Sequence, residues 1–213
     1  IVLIDEINRA PAKTQAALFE VMEERQVTVD GATHTMKQPY MVLATQNPIE
    51  HEGTYRLPEA QLDRFLFKIV VNYPNLDEEI SIISKQHQRE GSLAVEEVAP
   101  IISAADIVNM KAFTQKVHVE EHLIRYIAQI VQETRNNPML FLGASPRASV
   151  AILNGAKAFA LIQGRDFINP EDIKKIALPV LRHRIALSPE KEMEGISPDV
   201  IVQQIIDKVE VPR

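Results

Sequence analysis

Two carboxylates stand directly behind an apolar run in Ile1-Val2-Leu3-Ile4-Asp5-Glu6. The run is short and rich in β-branched residues, so it reads as a central strand of a parallel sheet, buried on both faces. Open α/β sheets bind ligands just past the carboxyl ends of their strands, which is where Asp5 and Glu6 fall. One acid there can hold Mg²⁺ through water while its neighbour polarises a water for attack on a γ-phosphate. Alone, the pair is equally readable as a strand end with solvated acids. A second chemical string, His118-Val119-Glu120-Glu121-His122, satisfies the H-x-x-E-H zinc pattern. The β-branched Val117 and Val119 place the helix start near Val119, which leaves His118 outside and breaks the i, i+4 geometry that two ligands need. A zinc peptidase is therefore not expected.

The elements around these acids divide the chain. Pro11 and residues 12–25 read as a helix packed on the sheet through Leu18, Val21 and Met22. Asp30-Gly31 marks a type I′ turn between strands 26–29 and 32–36. Tyr40–Ala44 reads as a second buried strand and leaves Asn47 at its carboxyl end before Pro48. A loop around Gly53, a short helix over 58–64 and a third strand over 67–73 complete an αβ portion. From Asn75 onward no strand is expected, and helices announce themselves by caps at Asn75, Ser103, Ser145-Pro146, Asn169-Pro170 and Ser197-Pro198. Leu123, Ile127, Ile130 and Val131 supply one apolar stripe, and residues 150–161 another. The domains expected are 1–74 and 75–213.

Composition narrows the function. The 213 residues carry 23 Lys and Arg against 29 Asp and Glu, a net charge of −6, so a broad footprint for nucleic acid or anionic membrane is missing. The chain has no cysteine, which removes disulfides, thiolate zinc sites and thiol nucleophiles and fits a cytoplasmic protein. No apolar run approaches the roughly 18 residues of a membrane span. Of the seven glycines, the closest pair is Gly155 and Gly164. Phosphate-cradling loops need glycines at most about five positions apart, so neither a P-loop nor a dinucleotide fingerprint can be written. The opening on Ile1, inside an apolar run, suggests a fragment entered at a buried strand.

The strings IDEINRAPAKTQAALFEVMEERQVTVDG and VLATQNPIEHEGTYRLPEAQLDRF closely resemble the MoxR family of AAA+ ATPases, in order and spacing. The resemblance implies the later part of an α/β P-loop NTPase core of αβα type, with parallel strands and a β-hairpin insert, followed by an all-α lid. Asp5 and Glu6 resemble the Walker B pair, metal ligand and water activator. Asn47 matches sensor 1, near the γ-phosphate. Arg64 in Leu62-Asp63-Arg64-Phe65 matches the arginine finger that reaches a neighbouring subunit's nucleotide, with Arg56 as a lesser rival; a salt bridge to Asp63 or Glu59 is the plainer alternative. Arg147 in Gly143-Ala144-Ser145-Pro146-Arg147 matches sensor 2, contacting phosphate in its own subunit. An arginine in a helix's first turn opposes the macrodipole, which makes a purely structural role less attractive.

By resemblance the cofactors are ATP and Mg²⁺, and the partners are further copies in a ring, expected to be a hexamer. Client proteins, among them ones with von Willebrand factor A domains, would be remodelled or matured by this chaperone-like ATPase. The family's Walker A loop, expected upstream of Walker B, is not in these residues, so the chain alone is expected to be inactive and its sheet edges aggregation-prone. A DNA-directed AAA+ motor or transcription activator is disfavoured, because the hairpin turn Val29-Asp30-Gly31-Ala32 lacks basic residues. A non-hydrolysing interaction module is the third reading, and Glu6, Asn47, Arg64 and Arg147 argue against it. Lys174, Lys175, Arg182, His183 and Arg184 are expected to form a solvated face or inter-helix pairs. His34, His51, His87 and His183 are expected at the surface.

Overall fold

The computed structural model describes residues 1–47, 57–89, 95 and 98–211. It begins with strand β1 (Val2–Ile4), a 3₁₀ turn at Ile7–Arg9 and helix α1 (Ala12–Glu24). The hairpin β2 (Gln26–Val29) and β3 (Ala32–Thr35) follows, then β4 (Val42–Ala44). Asp30 and Gly31 both take positive φ, at 49° and 79°, as the type I′ turn requires. β1 and β4 run parallel, Val2, Leu3 and Ile4 facing Val42, Leu43 and Ala44. Ile4 and Ala44 join Ile7, Phe19 and Leu57 in a small core under α1, with Leu18, Met22, Leu62 and Phe65 packed against it.

Two expectations about the sheet are corrected. Burial on both faces is not observed: Leu3 is 67% exposed and Leu43 48%. Among the described residues α1 covers one face and nothing covers the other. Nor do residues 67–73 form a strand. No described strand lies beside them to complete a ladder, and the chain turns to the helical part instead. The Lys68 N–H donates to the Pro179 carbonyl at 3.0 Å, Phe67 packs on the helical core, and Ile69, Val71 and Tyr73 stay exposed.

After the one-turn α2 (Glu59–Leu62), helices α3 (Leu76–Gln88) and α4 (Ala104–Gln115) each start with a complete capping box, Asn75 with Glu78 and Ser103 with Asp106. Neither helix buries a residue. The main core lies beyond them, in α5 (Glu121–Asn136), α6 (Pro146–Ile162), α7 (Pro170–Leu181) and α9 (Pro198–Lys208), with the one-turn α8 (Pro189–Met193) between the last two. The stripe Leu123, Ile127, Ile130 and Val131 is buried. At α7 the Asn169 box recruits a buried Asp172, and Arg165 grips that carboxylate with both terminal nitrogens. The expectation of no strands past Asn75 is overturned by β5 (Leu140–Leu142) and β6 (Ala186–Leu187), an antiparallel pair. Strands of two or three residues are too short to show a period in sequence.

Helices α6 and α7 meet at Gly155. A Cβ there would lie 2.6 Å from Ile176 Cγ2 and 3.3 Å from the Phe67 ring. Gly155→Ala gains up to about 1 kcal/mol of helix propensity. Overpacking a buried contact costs about 1–3 kcal/mol, so a net loss and a lowered Tm are expected, measured by thermal melting beside wild type. An unchanged or raised Tm would show that the junction tolerates a methyl group.

Candidate functional site

At the carboxyl end of the parallel pair one hydroxyl ties the Asp5 carboxylate to the Glu6 backbone. Thr45 Oγ1 donates to Asp5 Oδ1 at 2.5 Å and accepts the Glu6 N–H at 2.9 Å. The ladder runs on through it, with Thr45 N–H to Ile4 carbonyl at 2.9 Å and Ile7 N–H to Thr45 carbonyl at 3.1 Å. Glu6 lies in the left-handed region, φ 49° and ψ 54°, a conformation that costs a non-glycine residue about 1–3 kcal/mol and clusters at functional sites. It turns the chain sharply out of β1, and its carboxylate pairs with Arg9 at 3.0 Å. Asn47, two residues past Thr45, is exposed at the same strand end. Asp5, Glu6 and Asn47 are thus brought to one end of the sheet.

The two arginines assemble elsewhere. Arg64 Nη1 meets Glu23 Oε2 at 2.5 Å and its guanidinium lies over the Phe19 ring. Arg147 Nη2 meets Glu23 Oε1 at 2.6 Å, and its Nη1 meets Asp63 at 3.5 Å. Neither Asp63 nor Glu59 is the ion-pair partner of Arg64. Arg147 stands there because Ser145 caps α6, accepting the Arg147 N–H and donating to Asp63 Oδ2 at 2.9 Å. The loop before it presses on α5: a Cβ on Gly143 would come within 2.6 Å of Arg135 Cα. A cleft of about 280 Å³ opens here, lined among others by Glu23, Asp63, Arg64, Arg147, Asn154 and Arg184.

Helix α1 separates the clusters. Gln15 Nε2 donates to the Ile7 and Ala10 carbonyls near the acids. Glu23 lies eight residues further on, about 12 Å along the helix axis. The structure therefore groups Arg147 with Arg64 rather than with Asp5 and Glu6. Arg56, the rival finger, lies outside the described residues, as do Pro48, His51 and Gly53.

The late basic cluster is not a solvated face. Lys174 pairs with Glu171 near the surface, but His183 and Arg184 are buried at 8% and 7% exposure, which corrects the surface expectation for His183. The Arg184 carboxylate partner is Asp63, at 3.1 Å. Burial lowers the Arg184 pKa and Asp63 opposes that shift. His118 stays outside α5, paired with Glu120 at 2.9 Å. Among the described residues no group of three potential metal-ligating side chains occurs. No described helix is long and apolar enough to cross a membrane.

A parallel strand pair ending in acids, followed by a capped helical bundle that presents Arg147 beside Arg64, fits the AAA+ class of ATPases with its lid. The model described as "ATPase family associated with various cellular activities (AAA)" matches residues 1–67, and that described as "AAA lid domain" matches residues 132–205. The chain belongs to the MoxR family of AAA+ ATPases. It is 48% identical over 212 residues to the uncharacterised protein YeaC of Bacillus subtilis, covering 100% of this chain and 65% of that protein. It is 41% identical over 220 residues to chaperone MoxR1 of Mycobacterium tuberculosis, covering 99% and 57%. The crystal structure of a candidate ATPase from Cytophaga hutchinsonii superposes with TM-score 0.91 at 40% identity, over 99% of this chain and 66% of that one. A full-length MCM homologue from Methanopyrus kandleri shares the fold alone, with TM-score 0.56 at 19% identity, over 87% of this chain and 38% of that one. The chain thus spans about two thirds or less of these relatives.

His183 gives the junction a pH signature. Nε2 lies 3.0 Å from the Phe65 carbonyl, so the neutral ring donates there, while Nδ1 is buried without a partner. Burial first, then the Arg184 and Lys68 charges, lower its pKa from 6.5 to about 4, against the pull of the Phe65 carbonyl and Asp63. As pH falls below about 6.5 the unfolded chain takes up the proton first and the native ring resists until about 4. This contribution is therefore fully present above that window and is lost through it, by about 2 kcal/mol at pH 5 relative to pH 8. Denaturant titrations of wild type and His183→Gln should show the steeper acid loss in wild type; parallel curves would place the proton elsewhere.

Proposed function

We propose that residues 1–74 are the later part of an AAA+ αβ core and residues 75–213 a helical linker and lid. On this reading the protein couples ATP binding and hydrolysis to remodelling or maturation of partner proteins. The observation that carries it is the Thr45 tie, which holds the Asp5 carboxylate and the Glu6 backbone at the carboxyl end of a parallel pair. Mg²⁺ with nucleotide fits this donor set, because such an ion uses one or two carboxylates, substrate phosphates and water rather than an all-protein cage. Asp5 would hold it through water, and the bound ion would neutralise charge developing on the phosphates. Glu6, turned out of the strand, orients and polarises the attacking water, and Asn47 helps place that water.

Arg64 and Arg147 share the Glu23 carboxylate, so they serve one surface. That surface supplies positive charge to a neighbouring subunit's nucleotide in a ring, a hexamer by family resemblance. On this reading Arg147 faces the neighbour's nucleotide, beside the same-subunit phosphate contact that the resemblance implies. The clients are proteins, ones with von Willebrand factor A domains included, and the compartment is the cytoplasm. The acidic balance and the hairpin turn without basic residues disfavour a nucleic-acid motor.

The test is made in the whole protein. Glu6→Gln and Arg64→Ala should each lower ATP turnover by about 100-fold or more, and mixing them should restore part of it. Normal turnover by Glu6→Gln removes the base, no recovery on mixing removes catalysis across subunits, and salt-sensitive DNA binding by wild type favours the nucleic-acid motor. Thr45→Val, nearly isosteric, frees Asp5 and leaves the Glu6 N–H without its acceptor. It should lower kcat by about 10-fold or more at saturating Mg²⁺; an unchanged kcat would detach Thr45 from the chemistry.

A further inference from the structure

Arg184 uses all five of its N–H donors. Nε donates to Asp63 Oδ1, Nη1 to the Leu66 and Val180 carbonyls, and Nη2 to the Asp63 and Phe65 carbonyls. Four of these acceptors belong to residues 63–66. Two of them are the main-chain carbonyls immediately before and after Arg64. His183 also bonds the Phe65 carbonyl, Arg182 reaches the Lys68 carbonyl, and Phe67 packs on the core beside Gly155. The Arg64 side chain leaves in another direction, to Glu23 and the Phe19 ring of α1. Its backbone is thus clamped by the helical part while its side chain rests on the αβ part.

We propose that Arg184 is a positioning residue for Arg64, so that the lid sets where this arginine stands when it is offered to the neighbouring subunit. The inference rests on the reading of Arg64 as a residue acting across subunits. A rigid fork is needed because the targets are carbonyls on both sides of one residue. A lysine supplies charge to Asp63 but cannot span three carbonyls on the 63–66 segment at once. Any rotation of the α6–α7 pair then carries residues 63–66 with it, and Arg64 tracks the lid.

In the assembled whole protein, Arg184→Lys should lower kcat for ATP by about 10- to 100-fold, the cost of misplacing a catalytic group by about 1 Å. KM should change by less than about threefold, since the variant's own nucleotide contacts are intact. Mixing Arg184→Lys with Glu6→Gln should restore turnover. One subunit then contributes an intact Glu6 and the other a correctly held Arg64. The double variant Arg64→Ala/Arg184→Lys should be no slower than Arg64→Ala, because the two changes remove one function. Where the lysine variant does not assemble, Arg184→Gln is put through the same mixing test. Unchanged kcat in an assembled variant overturns the proposal. So does absence of recovery with Glu6→Gln when Arg64→Ala does recover, since Arg184 then acts only inside its own subunit. If Arg64→Ala itself fails to recover on mixing, the reading of Arg64 fails and takes the proposal with it.

Discussion

A guanidinium that is 7% exposed must find an oxygen for each N–H, because a buried charge without partners costs several kcal/mol. Arg184 meets that demand with the main chain of residues 63–66 and the Asp63 carboxylate, and much of the molecule follows from it. The chain leaving α2 cannot continue as a sheet strand while its carbonyls are turned to Arg184. Phe67 is delivered into the helical core, where Gly155 leaves room for its ring. His183, one residue away, is held neutral by the same dryness and the same positive charge. Asp63 completes the arrangement by receiving Ser145, Arg147 and Arg184 together.

Charge then separates along α1. Near its start stand Asp5 and Glu6, with Arg9 against Glu6. Near its end three guanidiniums, of Arg64, Arg147 and Arg184, meet two carboxylates, of Glu23 and Asp63. The surplus is positive and two of its members are partly exposed, so the complement of this surface is an anion. On the proposed function the acids of one copy would meet this surface of the next, and a heterologous contact whose rotation closes generates a ring.

What was legible in the sequence was local. The caps at Asn75 and Ser103 involve residues three apart, and the Asn169-Pro170 cap and the Asp30-Gly31 turn adjacent ones, so they could be read and they formed as expected. The site residues that escaped notice act over long separations. Thr45 falls just past the strand read over 40–44, and its partners are Asp5 and Glu6. Glu23 is one of three acids on α1, with nothing local to single it out. Arg184 was absorbed into a basic cluster although its carboxylate partner lies 121 residues away. No period or cap encodes such pairs, since they exist only once two parts of the chain have packed. The misread strand at 67–73 has the same origin: β-branched composition states a propensity, and the ladder needs a neighbour that propensity cannot supply.

The left-handed backbone at Glu6 fits this picture as a local conflict resolved by long-range contacts. A glycine would enter that conformation without strain. A glutamate is there instead, tied by its N–H to Thr45 and by its carboxylate to Arg9. In an extended strand its side chain would alternate to the face opposite Asp5. The left-handed turn breaks that alternation, and the carboxylate meets Arg9 on the following turn. The strain therefore has a geometric product: the chain leaves β1 sharply at Glu6, whose N–H stays on the same Thr45 hydroxyl that holds the Asp5 carboxylate.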